Sequence, residues 1–392
     1  MHDRLPKDGV SQVRQTDHAS LRSVGLTHAF RPAFASCVRG LPQAGHEIVV
    51  EHGGQAAEAV TAQRIGGIVP AHVRHSRRAY VTSSFVPDTT KSPPAPQVNP
   101  DFEPGDDDGR DLSFHPADPA RARTLSAGQI EGFNHDGFVS PLPAFSREEI
   151  DRLRAYLDGL IKAVIDAPDP RNSYSINTYH MVCEGLYDLI HTPMLLDYVE
   201  DIVGPDIVLW GSHLFAKLPG DGKAVPLHQD ATYWPLSPTK SVTVWLAVDD
   251  ADEENAAMEF VPGSHRLGPL PHEVKALDGT RVLRRQALEP DQYGDRFVNT
   301  LRAGQVSLHS DLLLHGSAPN RSHRRRAGLT LRYAAAEVRP VPGWEWWTMP
   351  SVHCRGSVPE HWSHWRRPEG EHPEKMAAVW GEFDGNPIPD AG

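Results

Sequence analysis

The chain has 392 residues, of which 39 are basic and 51 acidic, with 35 prolines, 32 glycines and three cysteines. The formal charge of −12 disfavours a nucleic-acid partner, and no window carries the ~18 consecutive apolar residues of a membrane span. Cys37, Cys183 and Cys354 lie outside any Cys-x-x-Cys spacing, so they support neither a disulfide framework nor a cysteine zinc site and favour a reducing cytoplasm.

Residues 1–123 carry no sustained apolar period of 3.6 or 2, and they close with a proline-rich run and Asp106–Asp108. Such a composition offers too little apolar surface to offset chain entropy, so it predicts an N-terminal extension that is largely disordered or poorly ordered. Two alternatives stay open: a small folded module built on Glu47–Val50 and Ile65–Val69, or a start codon further downstream. The ordered domain is expected over residues 124–392.

Amphipathic helices are predicted in the first part of that domain, because apolar residues recur there every three or four positions. Gly137 stops the first helix, a capping box at Ser146–Glu149 opens the second, and Thr192 is the predicted N-cap of the third, before a first-turn proline. The predicted spans are 125–136, 146–164 and 192–203.

Beyond residue 206 the apolar period changes to two, which indicates β-strands separated by Pro-Gly and Pro-Asn turns. Helices first and strands after predict a mainly β fold of two sheets braced by helices, an α+β arrangement. The segment from Val341 onward holds six of the nine tryptophans, and we expect it to cover the barrel. The predicted strands are Ile207–Lys217, Ser241–Val248, Ala257–Val261, Gln305–Leu308, Leu312–His315 and Gly328–Tyr333.

The densest chemical signal is a His-x-Asp motif at His228 and Asp230, followed 85 residues later by His315 and then by Arg326. Two imidazoles and one carboxylate can occupy one face of an octahedral metal and leave three positions open, as in non-heme iron(II) sites. Positions i and i+2 of a strand point to the same side, so His228 and Asp230 are expected to converge there, with His315 arriving from a strand across the barrel. An arginine in that pocket offers a planar fork for the distal carboxylate of a dicarboxylate co-substrate.

Each of these residues also has another interpretation. A second His-x-Asp motif at residues 309–311 lies only a few positions before His315, so all three side chains would belong to one short segment. We therefore expect His309 to be a strand-end or pocket-wall residue. Arg326 could belong to a solvated run of three arginines, and Arg332, on the same face of the predicted strand, is the fallback for the carboxylate.

A set of motifs follows in chain order: His228-Gln-Asp-Ala-Thr-Tyr-Trp, Thr243-Val-Trp-Leu-Ala-Val-Asp-Asp, Phe260-Val-Pro-Gly-Ser-His, Gly304-Gln-Val-Ser-Leu-His, His315-Gly-Ser and Arg325-Arg-Ala-Gly-Leu-Thr-Leu-Arg-Tyr. Together, over roughly residues 125–340, they resemble the phytanoyl-CoA dioxygenase family of iron(II)- and 2-oxoglutarate-dependent oxygenases. The N-terminal extension matches nothing in that family. The family's common Asn-Gly is Asn255-Ala256 here, so that loop is expected to be shaped differently.

The resemblance implies a double-stranded β-helix, that is, a cupin-like jelly roll. It implies three iron ligands and a 2-oxoglutarate arginine, namely His228, Asp230, His315 and Arg326. By the same matching, Trp245 and Ser317 resemble further 2-oxoglutarate contacts, with a core aromatic and a turn cap as their alternatives. A polar contact from the helical segment is also implied, for which the candidates are Ser173, Asn177 and Tyr179.

The resemblance further implies a dioxygenase that uses Fe(II), 2-oxoglutarate and O₂ to hydroxylate an unactivated C–H bond of a small organic substrate, releasing succinate and CO₂. We expect it in the cytoplasm, without a nucleic-acid or membrane partner; the Arg- and Ala-rich composition favours secondary metabolism, and the oligomeric state stays open. The alternatives are a non-catalytic jelly-roll binding protein, hydrolytic zinc chemistry, and a same-fold radical halogenase, which Asp230 disfavours. The residues expected to line the pocket are His213, Phe215, Tyr233, Trp234 and His309.

Overall fold

The computed structural model describes residues 109–167 and 172–381. Residues 1–108 of the predicted extension, with its two candidate strands, lie outside the described residues, and so do residues 382–392. The helices are α1 Ala127–Asp136, α2 Arg147–Ile165, α3 Glu184–Ile190, α4 Pro193–Val203 and α5 Met376–Gly381. The strands are β1 Phe138–Pro143, β2 Ile176–Asn177, β3 Ile207–Lys217, β4 Val225–His228, β5 Leu236–Ser237, β6 Ser241–Ala247, β7 Glu259–Phe260, β8 His272–Val274, β9 Arg285–Ala287, β10 Phe297–Val298, β11 Gln305–Ser310, β12 His315–Ser317, β13 Arg326–Ala335, β14 Arg339–Pro340 and β15 Val352–Arg355.

Two antiparallel sheets form the centre of the domain. The larger sheet has seven strands in the order β1-β11-β6-β13-β3-β15, with β2 paired to β3, and the smaller has the order β10-β7-β12-β4. Side chains from both sheets line one internal cavity. This mainly β, jelly-roll architecture with bracing helices confirms the fold class predicted from the sequence.

The helices form where local capping and apolar spacing agree. Ser126 and Ser146 both make complete capping boxes, with Gln129 and Glu149 at the third helical position. Thr192 does precede α4, but its hydroxyl donates to the Leu189 carbonyl and caps nothing. Six residues of α2 are buried in one apolar core with residues of the larger sheet: Ile150, Leu153, Leu157, Leu160, Ile161 and Val164.

Two strands of the two main sheets that the sequence analysis missed contain proline. β1 includes Pro141 and Pro143, and β4 includes Pro226, and each lies at the edge of its sheet. Proline has no N–H to give to a ladder, so it is tolerated at an edge even though it weakens the sequence signal for a strand. The predicted strand Leu312–His315 was wrong in its bounds, because residues 311–314 form a turn and β12 begins at His315.

The chain already packs on the folded domain before residue 124. The carboxylate of Asp201 in α4 accepts hydrogen bonds from the backbone N–H groups of residues 123, 124 and 125, at 3.0, 2.8 and 2.7 Å. The guanidinium of Arg110 donates to the carbonyl groups of Ala231 and Trp234. Residues 109–123, assigned to the extension from composition alone, therefore contact the folded domain directly.

The tryptophan-rich segment packs on the same domain. Trp347 and Trp362 are buried in an apolar cluster with Trp210 and Trp234, and β15 adds an edge strand to β3. The side chain of Trp380 lies outside the described residues. The tryptophans packed beside these clusters without being fully buried are Trp344, Trp346 and Trp365.

Candidate active site

Three candidate metal ligands meet where two strands of the smaller sheet lie side by side. β4 ends at His228, β12 begins at His315, and these two residues are direct partners in the ladder. Asp230 follows closely, so that its Oδ1 lies 3.5 Å from His228 Nε2 and 3.9 Å from His315 Nε2. One donor atom from each residue lies within 4.8 Å of the others, and all three residues are buried.

Hydrogen bonds behind the two imidazoles decide which nitrogen faces the cluster. Nδ1 of His228 lies 2.8 Å from the Pro226 carbonyl oxygen, and Nδ1 of His315 lies 2.9 Å from that of Leu313. A carbonyl only accepts, so each Nδ1 carries the proton. Each Nε2 is left as a lone pair turned toward Asp230, which is the form in which histidine binds a metal.

Asp230 supplies the negative charge of the cluster. Burial tends to raise the pKa of this carboxyl, but the adjacent His315 and His228 outweigh it and hold the pKa below its usual range. Its second oxygen, Oδ2, accepts a hydrogen bond of 3.3 Å from Thr243 Oγ1, which fixes the orientation of the carboxylate. An ionised carboxylate beside two imidazole lone pairs is a ligand set for a divalent cation.

Extended backbone through Gln229 brings the side chains of His228 and Asp230 to the same side of the chain. Gln229 is extended, with φ −109° and ψ 129°, but Asp230 already opens a short 3₁₀ turn. The amide of Gln229 donates to the carbonyl groups of Gly268 and Leu312 and is anchored away from the cluster. The side chains of His228 and Asp230 therefore meet as strand alternation predicts, although the strand itself ends at His228 and the chain turns after Asp230.

A second group of predicted residues meets at the start of β13. Arg326 is 3% exposed, and its Nε donates to the Ala256 carbonyl at 3.0 Å while Nη2 donates to Ser317 Oγ at 3.1 Å. The guanidinium carbon lies 5.7 Å from the ring centroid of Trp245. All three predicted co-substrate residues line the same cavity as the metal-ligand candidates, so the structure brings the two groups together.

The surroundings of Arg326 hold it in a fixed position. Ala256 adopts φ 65°, a left-handed conformation that glycine favours, and this turn presents its carbonyl to the guanidinium. Lys217, the cross-strand partner of Arg326, is fully buried and donates to the carbonyl groups of Ser317 and Ala318. The pKa of Lys217 is lowered to about 6, mainly by burial and secondly by the positive charge of Arg326. The sequence analysis did not identify Lys217, because a lysine on an apolar strand normally points to solvent.

The three consecutive arginines have three different environments. Arg324 is exposed and pairs with Asp252 and Glu254, whereas Arg325 pairs with Asp249 and Asp158. Only Arg326 turns inward. The run is therefore not a uniform solvated patch.

The second His-x-Asp motif does not join the ligand cluster. The ring of His309, in β11, lies 4.8 Å from the ring of His315, and it lines the cavity as a wall residue. Burial lowers the pKa of His309 well below its usual range, and the neighbouring His315 lowers it further. The carboxylate of Asp311 accepts from the Ser241 backbone N–H, and burial raises its pKa to about 8.

The cavity wall differs in part from the expected one. Phe215 and His309 line it as expected. The lining residues that the sequence analysis did not identify as such are Val225, Thr243, Met258, Gly316, Thr330 and Arg332. The expected residues absent from the described lining are His213, Tyr233 and Trp234, together with the three helical-segment candidates Ser173, Asn177 and Tyr179. Every second residue of a strand faces the same side, so Thr243 shares a face of β6 with Trp245. In β13, Thr330 and Arg332 share a face with Arg326 in the same way, and this spacing could have identified all three as lining residues.

Comparison with known proteins identifies the family. The family model described as phytanoyl-CoA dioxygenase matches residues 133–328, half of the chain. The chain belongs to the phytanoyl-CoA dioxygenase family. Peroxisomal phytanoyl-CoA dioxygenase of Bos taurus is 31% identical over 40% of this chain and 48% of its own length. A probable alpha-ketoglutarate-dependent hypophosphite dioxygenase of Stutzerimonas stutzeri is 31% identical over 42% of this chain and 58% of its own length.

The chain thus spans about half the length of these curated relatives of the phytanoyl-CoA dioxygenase family. Among solved structures, the apo form of the non-heme monooxygenase ThoJ aligns with a TM-score of 0.54 and 26% identity, over 66% of this chain and 95% of that one. Enzymes of this family use iron, 2-oxoglutarate and O₂. The family predicted from the sequence is confirmed, and the predicted enzyme class and cofactors agree with those of the family.

The residues present fit a family iron centre. Two imidazole nitrogens and one carboxylate oxygen are the donor set of non-heme iron(II) sites, and both histidines are held in the metal-binding tautomer by backbone carbonyls. Nothing in the described part of the chain adds a fourth protein donor to the cluster. Separately, none of the described helices is both long enough and apolar enough to cross a lipid bilayer.

Proposed function

We propose that this protein is an iron(II)- and 2-oxoglutarate-dependent hydroxylase acting on a C–H bond of a small organic substrate. One atom of O₂ would enter the substrate hydroxyl and the other would enter succinate, with CO₂ as the remaining product. The observation that carries the proposal is the buried cluster of His228, Asp230 and His315 in one cavity with Arg326.

His228, Asp230 and His315 are proposed to hold the iron, which supplies the activation of O₂ when it is bound. Three protein donors leave the remaining coordination positions to small molecules. Because Asp230 is present and ionised, we propose hydroxylation; a radical halogenase would need that ligand position vacant for a halide.

Arg326 is proposed to bind the distal carboxylate of 2-oxoglutarate, with Ser317 and Trp245 as its supports. The hydrogen bonds to the Ala256 carbonyl and to Ser317 Oγ fix the plane of the guanidinium, and the Trp245 ring packs against it. A fork whose plane is already fixed loses little conformational entropy when a carboxylate binds.

Metal stoichiometry tests the ligand assignment. His228→Ala and His315→Ala should each lose bound Fe(II), whereas the matched control His309→Ala, a cavity histidine outside the cluster, should retain it. Only proteins that retain iron should release succinate from 2-oxoglutarate in air. Loss of iron from His309→Ala with iron retained in His228→Ala would contradict the assignment, and a chlorinated product from the unmodified protein would contradict Asp230 as a ligand.

A further inference from the structure

A row of polar residues crosses three neighbouring strands beside the candidate metal ligands. Thr243 in β6 is the direct partner of His309 in β11 on one side and of Arg332 in β13 on the other. All three side chains line the cavity and are buried. Of the three, only Thr243 contacts a candidate ligand by a hydrogen bond described above, the one to Asp230.

Arg332 lies too far along β13 to share the role of Arg326. The two arginines lie six positions apart, which at the rise of a β-strand puts their Cα atoms about 20 Å apart. The Arg332 guanidinium carbon lies 5.5 Å from the Trp210 ring centroid and 5.4 Å from that of Trp234, while Arg326 lies against Trp245. Two aromatic rings hold the Arg332 fork in one orientation at the other end of the cavity.

His309 has unused hydrogen-bonding capacity at that end. It is 1% exposed, and neither ring nitrogen has a hydrogen-bond partner within the described residues. Buried polar atoms are seldom left without a hydrogen-bond partner, so a ligand or an ordered water is expected to form hydrogen bonds with these two nitrogens. A neutral imidazole supplies one N–H donor and one acceptor.

The charges on the cavity wall favour a monoanion. The charged side chains among its described lining residues are Asp230, Arg326 and Arg332. Adding a divalent metal and doubly charged 2-oxoglutarate gives (+2) + (−2) + (−1) + (+1) + (+1) = +1. A carboxylate would neutralise that charge, and its planar geometry suits an arginine fork. A doubly charged phosphate would overcompensate it.

We propose that Arg332 and His309 form the substrate-recognition end of the cavity, and that the substrate is a carboxylic acid whose carboxylate they bind. This inference rests on the proposed function, because it assigns the substrate class of that same site. Arg326 then holds the co-substrate and Arg332 the substrate, with the candidate metal ligands between them.

The test is a binding measurement on the iron-loaded protein under nitrogen with saturating 2-oxoglutarate. The probes are short linear, branched and aromatic carboxylic acids, each measured beside its primary amide by calorimetry. At least one acid should bind about tenfold or more tightly than its amide, the factor expected for a charge-assisted contact. Arg332→Gln should abolish that preference, and His309→Phe should weaken acid binding while keeping an aromatic ring of similar shape.

The controls separate this inference from the proposed function. Arg302→Gln, a change at an exposed arginine, should bind the acid as the unmodified protein does. The Arg332→Gln and His309→Phe proteins should keep their affinity for 2-oxoglutarate, which also shows that they are folded. If Arg332→Gln does not fold, the test is made with Arg332→Lys and His309→Phe. Equal binding of every acid and its amide, or a loss of 2-oxoglutarate binding in Arg332→Gln, overturns the inference. Failure of the unmodified protein to bind 2-oxoglutarate would instead overturn the proposed function.

Discussion

Adding one methyl group at Gly328 should disrupt the co-substrate end of the cavity. Gly328 lies in β13 between Ala247 of β6 and Phe215 of β3, and the ring of Trp245 crosses over it. A Cβ at this position would lie 2.9 Å from Cη2 of Trp245, and Cζ2 and Cε2 would be closer still. Carbon atoms normally stay about 3.5–4.0 Å apart.

Trp245 is 1% exposed and lines the cavity, so its ring can move only into the space proposed for the co-substrate beside Arg326. Overpacking of a buried site typically costs about 1–3 kcal/mol, and three ring atoms inside contact distance place Gly328→Ala at the upper end, about 3 kcal/mol. A displaced ring should also weaken the binding of 2-oxoglutarate.

Urea unfolding and 2-oxoglutarate titration of Gly328→Ala measure the two effects. The matched control is Gly211→Ala in β3, where a Cβ would approach no atom closer than 3.9 Å. This control should be as stable as the unmodified protein or slightly more stable, because alanine restricts the unfolded chain. A Gly328→Ala protein with unchanged stability and unchanged 2-oxoglutarate affinity would refute the close packing of Trp245 on β13.

Three further predictions concern separate parts of the structure. Arg326→Lys should raise the KM for 2-oxoglutarate by about tenfold to a hundredfold, the range expected for a charged hydrogen bond, with Fe(II) binding unchanged, whereas Arg324→Lys at the surface should leave the KM as it is. Burial lowers the pKa of His180 to about 4, so between pH 6.5 and pH 4 the unfolded chain binds a proton at this residue that the folded chain does not. The free energy of unfolding should therefore fall as the pH is lowered from 6.5 toward 4. At pH 5, His180→Gln should reduce the number of protons taken up on unfolding by about one. Asp201→Ala should lower the free energy of unfolding by about 3 kcal/mol in urea, because three backbone N–H groups lose a charged acceptor.

The candidate metal ligands could be predicted from the sequence because residue type and spacing alone indicate their chemistry. His228 and Asp230 are neighbours in the chain, and few ligand sets combine two histidines, one aspartate and a later arginine. The capping box of α2 was equally accessible, since Ser146 and Glu149 interact within one turn. In both cases the signal is local or carried by a short motif.

What the sequence could not supply is the register between distant strands. The row of His309, Thr243 and Arg332 depends on the pairing of β11, β6 and β13, which no local pattern determines. Burial of Lys217 depends in the same way on the segment at Ser317 that folds over it. The start of the packed chain was missed because residues 109–123 are held partly by polar contacts, such as those of Arg110 and the backbone N–H of Arg123, and such contacts leave no apolar period.

The candidate site draws its two halves from different sheets. His228 and His315 lie on β4 and β12 of the smaller sheet, whereas Trp245 and Arg326 lie on β6 and β13 of the larger one, and of the predicted co-substrate residues Ser317 alone lies on the smaller sheet. Mutations can therefore separate the two halves: residues of the larger sheet can change during evolution, and the specificity with them, while the smaller sheet keeps its ligands. A descendant of this protein could lose its reaction and still carry a metal.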